Sequence, residues 1–374
     1  MLLSAIAISC VSAVNAGSVS PWVIDDPTDV SMESRVRMKS TAFAASDFAP
    51  VIHFSSEVQN SENPPKPGTN RAMGIAQAGV YFDYQGFQVG IFRRMDAYGL
   101  ASSDAITVIQ TVNGKTSLDS GRPYYGNYSY LAMDMEGIRL GKAFKLPMPE
   151  KSGWSAALGV SFSPLHGVNI WQDSVSANIY SFAPNSFLLD GERSQANSKA
   201  NASDYNAYLQ NGTASANGYT SDFGISLQHT GGVRIYLISD VASKLNWHSV
   251  PARNYSVQGY TGMPGTPLPS GFASTAPFSR DLERKTTVGL AYATRSFVVE
   301  SAVTRVNGLN DPTLAVKHAL DGGWSAQVSV HPYWHALGME ISHPKFGTLR
   351  IISDNVSIRQ ARALGLAIET GFSF

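Results

Sequence analysis

An all-β fold, a single antiparallel up-and-down transmembrane β-barrel of about 14 strands, is what the sequence predicts. Three observations predict it. Segment after segment alternates apolar residues with small or polar ones, as strands with one greasy face require. No stretch beyond the N-terminus offers the roughly 18 consecutive apolar residues of a membrane helix. Backbone groups in lipid must then pair between strands, which only a closed barrel allows. Finally, long and short connections alternate along the chain, as they do when one end of a barrel carries tight turns and the other carries loops. The same pattern accommodates between about 12 and 16 strands. A soluble two-sheet sandwich array also alternates, but it would need compact units of about 100 residues and rarely has such asymmetric loops.

The composition narrows the function. The chain has 374 residues, only 15% of them charged, with a formal net charge of zero. A nucleic-acid binder needs a basic footprint, which this balance lacks. The segment Leu2–Val14 is apolar but too short to span a membrane, and Val14-Asn15-Ala16 places small residues before a cleavage point. Residues 1–16 therefore read as a signal peptide. Cys10, the only cysteine, lies inside it, so no disulfide framework is expected.

Residues 17–32, polar and with Pro21 and Pro27, read as a periplasmic lead-in too short for a folded plug. Residues 33–374 read as the barrel. Its first strand, about 33–43, sets Val36 and Met38 against Arg35, Arg37 and Lys39. The second, about 71–84, points Val80, Phe82 and Tyr84 outward. The Gln85-Gly86 turn leads into the third, with Phe87, Val89 and Ile91 outward. The fourth carries Leu131, Met133 and Met135, then Ile138 and Leu140, and the slip of one residue at Glu136-Gly137 reads as a bulge. The fifth sets Trp154, Ala156, Leu158, Val160 and Phe162 outward. The sixth (Phe223, Ile225, Leu227) and seventh (Val233, Ile235, Leu237) flank Gly231-Gly232, a hairpin signal. Strands eight and nine present Val288, Leu290, Tyr292 and then Phe297, Val299, Val303. The tenth spans about 313–320, and the eleventh sets Trp324, Ala326, Val328 and Val330 against Ser325, Gln327, Ser329 and His331. Leu337, Met339, Ile341 mark the twelfth, and Leu349, Ile351 the thirteenth. The long links, about 44–70, 98–124, 166–217 and 248–280, all fall at one end, the expected outer side. Trp154, Trp324, Tyr84, Phe87, Phe297 and Phe346 fall near the opposite end, where an aromatic belt belongs.

The last strand, Ala363–Phe374, puts Leu364, Leu366, Ile368, Phe372 and Phe374 on one parity and Gly365, Glu369 and Gly371 on the other. This segment resembles the C-terminal signature strand of Gram-negative outer-membrane β-barrels, a superfamily in which a terminal aromatic, usually Phe, is recognised by the assembly machinery. The resemblance implies a location in the bacterial outer membrane, with membrane lipid and the barrel-assembly machinery as partners. Barrels of about this strand number include monomeric channels and long-chain fatty-acid transporters; the latter would be expected to carry a larger N-terminal hatch.

The parity opposite the lipid face lines the lumen. It collects Arg35, Arg37, Lys39, Arg94, Arg139, Arg234, Lys317 and Arg350 with Asp83, Asp96, Asp134, Glu136, Asp240, Glu300, Glu340 and Glu369. So many charges are costly in a dry core and tolerable around water. One reading is a polar, mixed-charge channel or transporter for small solutes; the other is an ion-paired interior that braces the wall. The basic row Arg35, Arg37, Lys39 is expected to pair with Glu369 and Glu340 on the closing strands. Arg93 and His318 fall on the lipid parity, which fits them poorly. The alternatives to transport are a non-transporting barrel (surface-loop binding, envelope structure or a part of a secretion or conjugation apparatus) and, less favoured, a hydrolase using His331, His335 and Glu340. No nucleophile elbow, HExxH or Cys/His metal spacing is present, so no catalytic residue, metal or cofactor is expected. Among the outer loops, 166–217 is the candidate constriction by length.

Overall fold

The computed structural model describes residues 18–23, 25–52, 64–183, 186–198, 214–260 and 270–374. The expected signal peptide and Cys10 lie outside them. Fourteen strands close into a ring: β1 (Arg35–Ser46), β2 (Thr69–Tyr84), β3 (Phe87–Ser102), β4 (Pro123–Leu146), β5 (Trp154–Ala183), β7 (Ala216–His229), β8 (Val233–Tyr260), β10 (Lys285–Ala293), β11 (Phe297–Val306), β12 (Leu309–Ala319), β13 (Ser325–His331), β14 (Ala336–His343), β15 (Gly347–Ser353) and β16 (Ala363–Ser373). All neighbours are antiparallel, and β16 closes the ring on β1 from Arg35↔Ser373 to Ala45↔Ala363. Two further strands stand above it. β6 (Ser186–Asn197) fills the gap between the upper parts of β5 and β8, over β7. β9 (Ser270–Arg280) continues the wall over β10.

The ring is lopsided. β4, β5 and β8 run for 24, 30 and 28 residues, whereas β13 and β15 have 7 each. A membrane strand needs roughly 9–11 residues, so the β4–β9 side rises as a tower well beyond any bilayer. Two of the expected loops are thus largely strand. Within 166–183 the Ser- and Asn-rich sequence still alternates, with Ala177, Ile179 and Ser181 buried and Ser176, Asn178, Tyr180 exposed. The inner face of the tower packs Met133, Met135, Ile170, Leu245 and Trp247 into a buried cluster. The expected loop 98–124 carries one helix, α1 (Ser103–Val112). Its N-terminus is capped by the Ser102 side chain, which accepts from the Ala105 amide, and its Val108 packs against Tyr124 and Ile179.

At the lower end the turns are tight. Gln85-Gly86 has positive φ at both residues (48° and 75°), the geometry of a two-residue hairpin turn, and Gly at the second position adopts it without strain. Outside the ring, Val80, Phe82, Phe87, Val89, Ile91, Leu140, Phe162, Leu290, Met339, Ile351 and Ile368 form a continuous exposed apolar belt. These side chains were expected to face lipid, and they face outward.

Candidate functional site

The lumen is the only part of the fold where charged side chains, a large cavity and an irregular segment coincide among the described residues. The segment 18–34 enters it from the base of β1 and rises to Trp22 before descending again towards Ser18. It was expected outside the barrel as a lead-in; instead its side chains find their partners on the inner wall. Trp22 donates its indole N–H to Asp311 at 2.7 Å, and Trp334 donates to the same carboxylate oxygen at 3.1 Å. Around Trp22 close Phe43, Met73, Ile75, Tyr98, Val306, Leu309 and Ile352, drawn from strands on all sides of the short wall, with Phe43 edge-on at 4.7 Å. This cluster seals the upper lumen.

Below it the segment is held by charge. It carries Asp25, Asp26, Asp29 and Glu33 and no basic residue. Asp25 meets Lys39 and Arg139, each at 3.6 Å, and accepts from the Gln77 amide at 2.6 Å. Asp26 meets Arg234 at 3.4 Å and Asp29 meets Arg37 at 3.5 Å. Ser20 bonds Thr304 at 2.6 Å, and the Val19 amide donates to Glu300 at 3.3 Å. Among the described residues, main-chain pairing with the wall is confined to the base, where the Gly86 amide donates to the Ser31 carbonyl and the Phe374 amide to the Ser34 carbonyl. The plug is therefore not a strand of the wall. It is lodged by side chains.

A cavity of about 980 Å³ opens at the lower end and reaches Phe43 and Ile352 of the Trp22 cluster; Arg35, Lys39, Lys317, Glu340, Arg350 and Glu369 line it on the wall side. Arg350 reaches Glu340 at 2.7 Å and Lys317 reaches it at 3.5 Å. Glu369 lies 3.7 Å from both Arg35 and Arg37. The basic row thus meets Glu369 across the seam, but Glu340 is taken by Lys317 and Arg350. Arg37 also holds the fully buried Asp83 at 2.8 Å. Beneath the tower, Arg94 grips Asp96 through two bonds of 2.9 Å, and Lys285 lies 3.7 Å from Asp96 and 4.0 Å from Asp240. Since β3 and β10 are not neighbours, this cluster spans the lumen. Arg139 pairs with Asp222 at 2.7 Å, and Glu300 accepts from Tyr236 at 2.6 Å.

Two expected lumen residues are misplaced. Asp134 and Glu136 point outward, in line with Ile138 and Leu140. The slip read at Glu136-Gly137 does not occur in β4; the irregularity sits opposite, where Asp134 faces Asn169 and Met135 faces Gly167. Met133 and Met135, read as lipid-facing because they are apolar, fill the inner cluster. Arg93, outward as its parity indicated, makes a two-bond ion pair with Asp134. His318 is also outward, near the lower rim. His331 is buried between Thr313 and Ser329, at 3.3 and 3.1 Å, and Glu340 is engaged elsewhere, so no catalytic constellation forms with His335. Sequence reasoning missed Lys285, Asp222, Asp311 and the plug's carboxylates. The first two sit on the inward parity of β10 and β7, but the signal for the plug is only a run of four acids and one Trp without a base.

No protein-family description matches the chain, and no curated protein sequence does. Solved structures do. Its fold is similar to a TodX ΔS2S3 mutant monoaromatic hydrocarbon channel, with a TM-score of 0.50 and 11% identity over 96% of this chain and 95% of that one. The P. putida toluene transporter TodX (TM-score 0.45, 9% identity, 94% and 93% covered) and a Pseudomonas aeruginosa FadL homologue (0.39, 10%, 90% and 88%) are also similar. At these identities the likeness is one of fold. What the chain shares with the first of these channels is the closed antiparallel β-barrel.

Proposed function

We propose that this protein is an outer-membrane channel for small solutes, closed in this structure by its own N-terminal segment. The observation that carries the reading is the 980 Å³ vestibule, lined by charged residues of both signs, beside a plug that among the described residues pairs with the wall's backbone only at its base. In this reading the lower end is periplasmic, the tower faces the exterior, and lipid covers the apolar belt. A structural brace would gain most from main-chain ladders into the sheet. The plug instead uses ion pairs, hydrogen bonds from Ser18, Val19 and Ser20, and the buried side chains of Val19 and Trp22, contacts that can be exchanged without unfolding the wall. The tower side of the lumen is crossed by the Arg94, Asp96, Lys285 and Asp240 cluster, so the route runs along β11–β16 and β1.

The mixed-charge vestibule suits small polar solutes, steering them by transverse fields. A second reading, passage of apolar molecules like those named for the similar TodX structures, is favoured by one feature: the Trp22 cluster itself is apolar. The test is conductance in planar bilayers of the mature protein and of a variant lacking residues 18–30. The intact protein should conduct rarely, in brief events, and the variant steadily. A variant that inserts and stays silent would sink the channel reading. Uptake of an alkylbenzene against a small sugar into vesicles carrying the variant separates the two cargo classes.

A further inference from the structure

Among the described residues, two buried carboxylates of the lumen lack a base. Asp83, Asp96, Asp222 and Glu340 each meet an Arg. Asp311 meets none, but one of its oxygens accepts two indole N–H groups, from Trp22 and Trp334. Glu300, on β11, is 5% exposed and forms no ion pair among the described residues. Arg234 and Arg350, whose fields reach it, are engaged with Asp26 and Glu340. One oxygen of Glu300 accepts from the Tyr236 hydroxyl at 2.6 Å and from the Val19 amide at 3.3 Å. The other has no hydrogen-bond partner among the described residues. An ionised carboxylate buried on neutral donors alone is costly, and a cation beside it offsets much of that cost.

What lies beside Glu300 is the start of the plug. Ser18 is the first described residue, and its hydroxyl is 3.2 Å from that of Tyr236. Val19 packs with Tyr236, Ala302 and Ala315, and both plug residues are buried. The expected cleavage after Val14-Asn15-Ala16 makes Gly17 the first residue of the mature chain. Its nitrogen stands two residues before the Val19 nitrogen, so covalent geometry keeps the two within about 7 Å. Having no side chain, Gly17 brings a buried site an amine and nothing else to accommodate. The segment 18–34 carries four carboxylates and no base. Cleavage therefore gives the plug its first cation, next to a wall carboxylate that lacks one.

We propose that hydrolysis of the Ala16–Gly17 bond by an export signal peptidase makes the latch of this plug: the α-ammonium group of Gly17 pairs with Glu300. Water adds across the peptide bond, leaving a carboxylate on Ala16 and an amine on Gly17 that takes up the released proton. The uncleaved chain offers Glu300 only a neutral amide at that nitrogen, so the plug seats fully only after processing. The inference rests on the plug of the proposed function, but on its seat rather than on conductance.

In the experiment the exported protein is purified, its first residue is read from the intact mass, and its α-amine is labelled at neutral pH with an N-terminus-selective aldehyde. Only the neutral amine reacts, and an opposite charge beside it disfavours that form, so labelling should run about tenfold slower than in a Glu300→Gln variant. Hydrogen exchange of the peptide 18–30 reads the seat. It should speed up severalfold in Glu300→Gln and in a variant with one Ala inserted after Gly17, which moves the amine by about 3.5 Å. The two changes combined should be no looser than Glu300→Gln alone, since both break one contact. Heat-modifiable gel migration confirms the barrel of each variant. A first residue other than Gly17 overturns the assignment, as does an amine that labels equally fast with and without Glu300. Additive loosening by the two changes also overturns it, while slow exchange of 18–30 in the intact protein leaves the plug standing. Fast exchange there refutes the lodged plug itself, and the latch with it.

Discussion

Single residues decide how this lumen is closed. Trp22 is 1% exposed in a cluster built from strands on opposite sides of the short wall. Truncating a buried Trp costs about 3–5 kcal/mol, and here the loss falls on the seating of the plug rather than on the ring. Trp22→Ala should leave the thermal unfolding of the barrel nearly unchanged while raising the open fraction in single-channel records by orders of magnitude. Trp22→Phe, which keeps the apolar bulk but loses the bond to Asp311, should fall between. Arg37 belongs to the other class. Its removal strands Asp83, which is 0% exposed, and uncompensated buried charges of this kind cost about 3–5 kcal/mol. Arg37→Met should lower the unfolding temperature clearly, and Arg35→Met, whose partner Glu369 is part-exposed, should barely move it.

At the scale of elements, the ring strands were legible because an apolar outer face and polar or packed side chains on the inner face enforce period-two alternation. All fourteen ring strands coincide with segments whose alternation is visible in the sequence. What escaped was whatever that rule does not govern. In β4 the methionines 133 and 135 are apolar on either side of the wall, so hydrophobicity alone could not say which way they point. Above the exposed apolar belt the rule relaxes, since both faces can be polar, and β5 beyond His166 and β6 read as loop. The plug obeys no periodicity, because each of its side chains answers a different wall residue. These distinctions predict different results for two deletions. Removing 18–30 should open the channel, and removing the β6 hairpin, residues 186–197, should leave conductance per open channel unchanged while making the tower more susceptible to protease. If the second deletion raised conductance instead, the constriction would lie in the tower.

At the scale of the whole molecule, the plug is an electrostatic component of the lumen as well as a stopper. The chain's formal charge is zero, but the distribution is uneven: 18–34 contributes four carboxylates and no base, and its acids answer Arg37, Lys39, Arg139 and Arg234 on the wall. The residues facing the route along the short wall include Arg35, Lys39, Lys317 and Arg350 against Glu340 and Glu369. With the plug lodged, the field is nearly balanced. Deleting 18–30 removes Asp25, Asp26 and Asp29 and shifts the lumen by three positive charges, while Arg139 keeps Asp222 and Arg37 keeps Asp83. The open variant should therefore prefer anions. Under a tenfold KCl gradient its reversal potential should take the sign of chloride selectivity, and raising the salt should shrink the preference as the Debye length falls to about 3 Å near 1 M. Restoring charge from the wall side gives the matching control: adding Lys39→Gln and Arg350→Gln to the deletion should bring the reversal potential back towards zero. A cation-selective deletion variant would mean that solutes pass elsewhere than along this wall.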